Sequence, residues 1–124
     1  MSVGNVGVIL NVLNVVRPRS KSSFHVRFCA EGSGKKVELD KLGEEIYFYL
    51  DNHDALPNNA ELWDTVDVLL KGFPVFHFQV TKNEGKVELS THILETNEKI
   101  AEAVDAIFRE GYKLGANYTL IINP

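Results

Sequence analysis

The sequence predicts one α+β domain over residues 1–124, in two layers: a mostly antiparallel sheet of about five strands with three helices on one face. Three observations predict it. Apolar and polar residues alternate with period two along residues 24–30 and on both sides of Asn83-Glu84-Gly85, as in half-buried strands. Apolar residues recur at helical spacing over residues 42–53, 62–70 and 100–108. A chain of 124 residues with 44% hydrophobic content can close one core, and its composition is neither fibrous nor disordered.

Residues 6–16 are rich in valine, and Val6, Val8, Leu10 and Val12 share one parity, which favours a first strand. Val6, Ile9, Leu10 and Leu13 also match the spacing of a helix. Residues 17–23 read as a polar turn in which Pro18 closes that strand. In the next strand Phe24, Val26 and Phe28 point one way and His25, Arg27 and Cys29 the other, until Gly32-Ser33-Gly34 breaks it.

Asp40 can cap a helix whose Leu42, Ile46, Tyr49, Leu50 and His53 form an apolar face, with Glu44, Glu45 and Asp51 opposite. After Pro57, Asn58 and Glu61 have the spacing of a capping box. The helix they open turns Leu62, Val66, Leu69 and Leu70 inward and Glu61, Asp64 and Asp67 outward. Gly72 is expected to end it in the left-handed conformation, and Pro74 prevents continuation.

Residues 73–82 and 86–94 form a hairpin with Phe76, Phe78, Val80, Val87, Leu89 and Ile93 on its inner face, in phase only if the loop has an even number of residues. Thr96 caps a last helix with Ile100, Ala103, Val104, Ile107 and Phe108 inward, and Gly111 or Gly115 stops it. Residues 118–122 supply a final strand. The expected order is β-β-α-α-β-β-α-β, and helices confined to one face leave the other to solvent or a partner.

The net charge of −4 hides a dipolar chain. Residues 1–36 carry six Lys or Arg against one Glu, whereas residues 38–67 hold nine Asp or Glu against one Lys. No apolar run approaches the roughly 20 residues of a membrane span, so no membrane association is expected. The first five residues have no basic side chain, and Cys29 is the single cysteine, so a cytosolic protein without disulfides is expected.

Four constellations bear on function. His25, His77 and His92 lie on the polar parity of expected strands; a two-residue turn at Glu84-Gly85 would set His77 opposite His92, and a four-residue loop would set it opposite Ser90. A metal site needs three or four suitable ligands, and no HxH, HExxH or CxxC spacing occurs, so no metal or other cofactor is expected. Cys29 shares a face with His25 and Arg27, but four residues of extended strand place His25 about 13 Å away, too far to act as its base. The glycine-containing segments at residues 4–7 and 32–36 do not match a phosphate-binding loop, and residues 51–54 lack the ligand pattern of a calcium loop. Arg17, Arg19, Lys21, Arg27, Lys35 and Lys36 could meet nucleic-acid phosphates, but overall acidity opposes that partner.

The fourth constellation is the acidic block Glu38, Asp40, Glu44, Glu45, Asp51, Asp54, Glu61, Asp64 and Asp67. Most charge runs are solvated helix faces. This one is nearly single-signed, which costs stability through self-repulsion and suits steering of a cationic partner. Tyr47, Phe48, Tyr49 and Trp63 lie among the acids as anchor candidates. The leading expectation is a small protein-binding module that engages a basic protein through an acidic helical surface. Its most concrete form is an inhibitor or immunity-type protein seated in the phosphate-binding cleft of a cationic enzyme such as a nuclease toxin. One alternative is a small enzyme or ligand-binding domain using His25, Cys29, His77 and His92 on the polar sheet face. Another is a homodimer that buries that face against its own copy.

Overall fold

In the computed structural model, which describes residues 4–19, 23–32, 34–42, 45–52, 60–83, 86–91, 96–115 and 117–123, a six-stranded antiparallel sheet carries three helices on one face. The chain runs α1 (Gly4–Arg19), β1 (Ser23–Ala30), β2 (Lys35–Leu42), β3 (Glu45–Asn52), α2 (Ala60–Gly72), a 3-10 turn (Pro74–Phe76), β4 (Gln79–Asn83) and β5 (Lys86–Thr91). It closes with α3 (Asn97–Ala106), a π-helical turn (Ile107–Gly111) and β6 (Leu120–Asn123). The strand order is β4-β5-β3-β2-β1-β6.

The α+β, two-layer architecture is the expected one, with six strands rather than five. Two elements differ from their sequence reading. Residues 6–16 belong to a helix, not a strand: Ile9 and Leu13, one helical turn apart, are fully buried, while Val8 and Val15 are exposed. The helix also runs through Pro18 to Arg19, so that proline closes no strand.

The larger correction concerns residues 35–52, which form the β2 and β3 hairpin instead of a helix capped by Asp40. Val37 and Leu39 on β2 and Ile46, Phe48 and Leu50 on β3 are fully buried. Their neighbours Glu38, Asp40, Glu45, Tyr47 and Tyr49 are half-exposed on the opposite parity. A helix placing Leu42, Ile46, Tyr49 and Leu50 inward would have left Phe48 off its apolar side. Period two buries Phe48, which makes edge-to-face contacts with Phe76 and Phe78 at 6.1 and 5.2 Å between ring centroids.

Gly32 and Gly34, at φ +75° and +71°, turn β1 into β2, a backbone shape that a residue with a Cβ adopts at a cost. Asn83 pairs with Lys86, so β4 and β5 stay in phase, with Val80 opposite Leu89. The strand does not extend back to Phe73. Pro74 starts a 3-10 turn, the Thr91 hydroxyl donates to the Phe76 carbonyl at 2.5 Å, and His77 takes a left-handed φ of 50°. Gly72 is not left-handed; the left-handed residue that follows α2 is His77, at the end of the 3-10 turn.

Thr96 caps α3 as expected, its hydroxyl accepting from the Lys99 N–H at 3.3 Å. On α2, Val66 and Leu69 are buried, whereas Leu70, expected inward, is 40% exposed. Buried residues of all three helices and of one sheet face form one core. β6 pairs antiparallel with β1, so β5 and β6 run in the same direction with three strands between them. Among the described residues, no helix is long and apolar enough to cross a membrane.

Candidate partner-binding face

Because the strands alternate and the helices take one parity, the other parity forms an open face. Register fixes its rows. One row runs from Asn123 on β6 through Arg27, Glu38, Tyr49 and Glu88 to Thr81 on β4. The next runs from His25 through Asp40, Tyr47 and Ser90 to Gln79. The face thus changes character across its width: Arg27 and His25 on β1, carboxylates on β2, two tyrosines on β3, then Glu88 and Ser90 on β5.

The carboxylates of β2 are matched by their neighbours. Arg27 Nε donates to Glu38 Oε1 at 2.7 Å, and His25 Nδ1 pairs with Asp40 Oδ1. At the β3 terminus, the Tyr47 hydroxyl donates to Glu45 Oε2. Glu88 differs: among the described side chains, none donates a hydrogen bond or an ion pair to it.

The tyrosine rings of β3 lie nearly parallel, 15° between planes and 6.1 Å between centroids. Two residues apart on one strand, they point to the same side, and β3 is third of six strands, so the pair stands near the middle of the face. The surroundings disfavour phenolate. Tyr49 is pushed up to about 12 by partial burial, then by the charges of Glu88 and Asp40. The Tyr47 phenol is raised above its ordinary value chiefly by its hydrogen bond to Glu45. Both rings therefore carry neutral hydroxyls at physiological pH, ringed by negative charge.

The acidic residues do not form one helical surface. Glu38, Asp40 and Glu45 lie on β2 and β3 on the open face. Asp64 and Asp67 are exposed on α2, in the layer that covers the other face, with Asp64 3.5 Å from Lys113. Trp63, also on α2, is 40% exposed and so is not a core residue. The backbone places Asp51 in β3 and Glu61 in α2, while Glu44 and Asp54 lie outside the described residues. A shallow groove of about 410 Å³ beside α2 is lined by Asp67, Val68, Lys71, Gly72, Phe73 and Glu110, a set of both signs.

His25 and Cys29 share the open face on β1, with Cys29 half-buried opposite Lys36. His77 is not on the sheet, and the strand it precedes, β4, is four strands from β1, about 19 Å at the usual spacing. His92 lies outside the described residues. The described β4 and β5 ladder ends at Gln79 and Ser90, and His77 lies before it, at the end of the 3-10 turn. Among the described residues, no three His, Cys, Asp or Glu are grouped to hold a metal.

Reading residues 40–53 as a helix hides Glu88 and the Tyr47 and Tyr49 pair as neighbours. The alternation Ile46, Tyr47, Phe48, Tyr49, Leu50 is the sequence signal for the pair; the adjacency of β3 to β5 has none. No protein-family model matches the chain, and no curated protein or solved structure matches it either.

Proposed function

We propose that the protein is a small binding module that engages a basic protein through the open face of its sheet. The observation that carries this reading is the nearly parallel Tyr47 and Tyr49 pair at the centre of the face, with carboxylates on both neighbouring strands. Tyrosine is an anchor type in protein interfaces, and two half-exposed rings at the centre of a face suit a binding surface better than an idle one. Carboxylates around the rings add steering and discrimination against acidic partners. The concrete form of this role is an inhibitor or immunity-type protein that occupies the phosphate-binding cleft of a cationic enzyme, such as a nuclease toxin. The division of the acids between sheet and α2 favours the sheet-borne set, Glu38, Asp40, Glu45 and Glu88, over the whole run.

Charge reversal on each side tests the reading. The tagged protein is used to capture partners from lysate of its source at low salt, with stepwise salt elution. Glu45→Lys with Glu88→Lys should abolish retention of a basic protein, while Asp64→Lys with Asp67→Lys on α2 should leave it. Retention that survives the sheet-face reversal would sink the proposal.

A further inference from the structure

Deepening that reading, and resting on it, we infer that the open face takes an arginine side chain of the partner, its guanidinium lying over the Tyr49 ring with its N–H fork on Glu88. The row containing Tyr49 supplies the argument. Tyr49 is flanked by two carboxylates in direct register, Glu38 on β2 and Glu88 on β5. Glu38 already receives an arginine from the chain itself, Arg27 at 2.7 Å. Glu88, on the other side of the ring, receives no described cation. The row thus has two carboxylates for one guanidinium.

Directly opposite residues on paired strands have Cβ atoms about 5 Å apart, so a planar cation lying on the Tyr49 face is within reach of the Glu88 carboxylate. Arginine suits this better than lysine. Its guanidinium is flat, less strongly hydrated and able to stack on a ring while presenting two parallel donors to one carboxylate, whereas an ammonium is a hydrated point charge. The neighbouring row lacks this combination, because Tyr47 faces Ser90 on β5. Glu45 is no substitute, since it accepts the Tyr47 hydroxyl.

The probes are fluorescein-labelled peptides of alternating glycine and arginine, with lysine and citrulline versions of the same length, titrated into the full chain by fluorescence anisotropy. Citrulline keeps the plane and removes the charge. The arginine peptide should bind about fivefold more tightly than the lysine peptide, the scale of one exposed cation–π contact plus one charged fork, and the citrulline peptide should bind weakest. Glu88→Gln and Tyr49→Leu should each erase that preference, while Tyr49→Phe, which keeps the ring, should retain it. Equal binding of arginine and lysine peptides, still lost in Glu88→Gln, would overturn the arginine anchor and leave the basic-partner reading standing. An arginine preference unchanged in both Glu88→Gln and Tyr49→Leu would overturn the site. Failure of both cationic peptides to bind wild type would overturn the anchor and the broader reading together.

Discussion

Gly111, in the π-helical turn after α3, sits so close to Thr65 of α2 that a Cβ on it would fall 2.6 Å from Thr65 Cγ2 and 2.7 Å from Oγ1. Thr65 is itself fully buried, so the missing side chain sets how near α2 and the turn can come. The glycine is needed for this approach and not for a left-handed backbone, a role taken nearby by Lys113 and Gly115.

Gly111→Ala should therefore destabilise the fold, although alanine is the better helix former. Overpacking of a tight interior site costs about 1–3 kcal/mol. Urea unfolding should show the midpoint falling in Gly111→Ala, with part of the loss recovered when Thr65→Ala is added. An unchanged midpoint in the single variant would mean that α2 can shift at no cost.

The carboxylate of Asp105, only 7% exposed, joins two elements: it accepts from the Tyr118 hydroxyl at 2.5 Å and from Arg109 Nε at 3.1 Å. Asn5 of α1 donates to the Tyr118 carbonyl at 2.6 Å, so one tyrosine ties α1, α3 and the approach to β6. A hydrogen bond to a charged group is worth about 1.5–3 kcal/mol. Tyr118→Phe should lose an amount in that range, and Asp105→Ala at least as much. A double-variant cycle in urea that gives additive losses would deny the coupling.

Thr96→Ala removes the cap of α3. Loss of such a cap costs about 0.5–2 kcal/mol, and the 3.3 Å contact puts this one at the lower end. Thr96→Asp should retain most of the stability. Thermal unfolding of the two variants distinguishes capping from a general effect of substitution.

Tyr49 makes stability fall at alkaline pH. Its phenol is held at about 12 in the folded protein against the ordinary 10.0 of an unfolded chain, so the folded state keeps a proton the unfolded state has released. The contribution is complete below pH 10 and is lost as pH rises to about 12. The phenolate absorbance that disappears in Tyr49→Phe should titrate in this window. Glu88→Gln should shift it downward without bringing it to the ordinary value, because burial, the first cause, stays.

Much of the fold was legible in the sequence because alternation and helical spacing record burial directly. The strand of Phe24, Val26 and Phe28, the hairpin around residues 83–85 and the Thr96 cap all follow from local pattern, whereas the pairing of Val80 with Leu89 was left open by it. Residues 42–50 misled because Ile46 and Leu50 satisfy both periods, being four apart. Phe48 was the residue that discriminated. The valine-rich first segment misled for another reason: β-branched residues prefer strands, but packing Ile9 and Leu13 into the core with α3 outweighs a small intrinsic preference.

By itself the sequence determined the α+β class, the charge asymmetry, and the alternation that sends Phe24, Val26 and Phe28 to the core and His25, Arg27 and Cys29 to the other face. Only the tertiary structure decided which strands are neighbours, and with that the candidate site. Placing β3 between β2 and β5 sets Tyr49 between Glu38 and Glu88, residues 50 positions apart in the chain. The physical reason is that side-chain periodicity reports which face a residue takes, whereas strand order depends on how the helices and the whole core close, information that no local pattern carries.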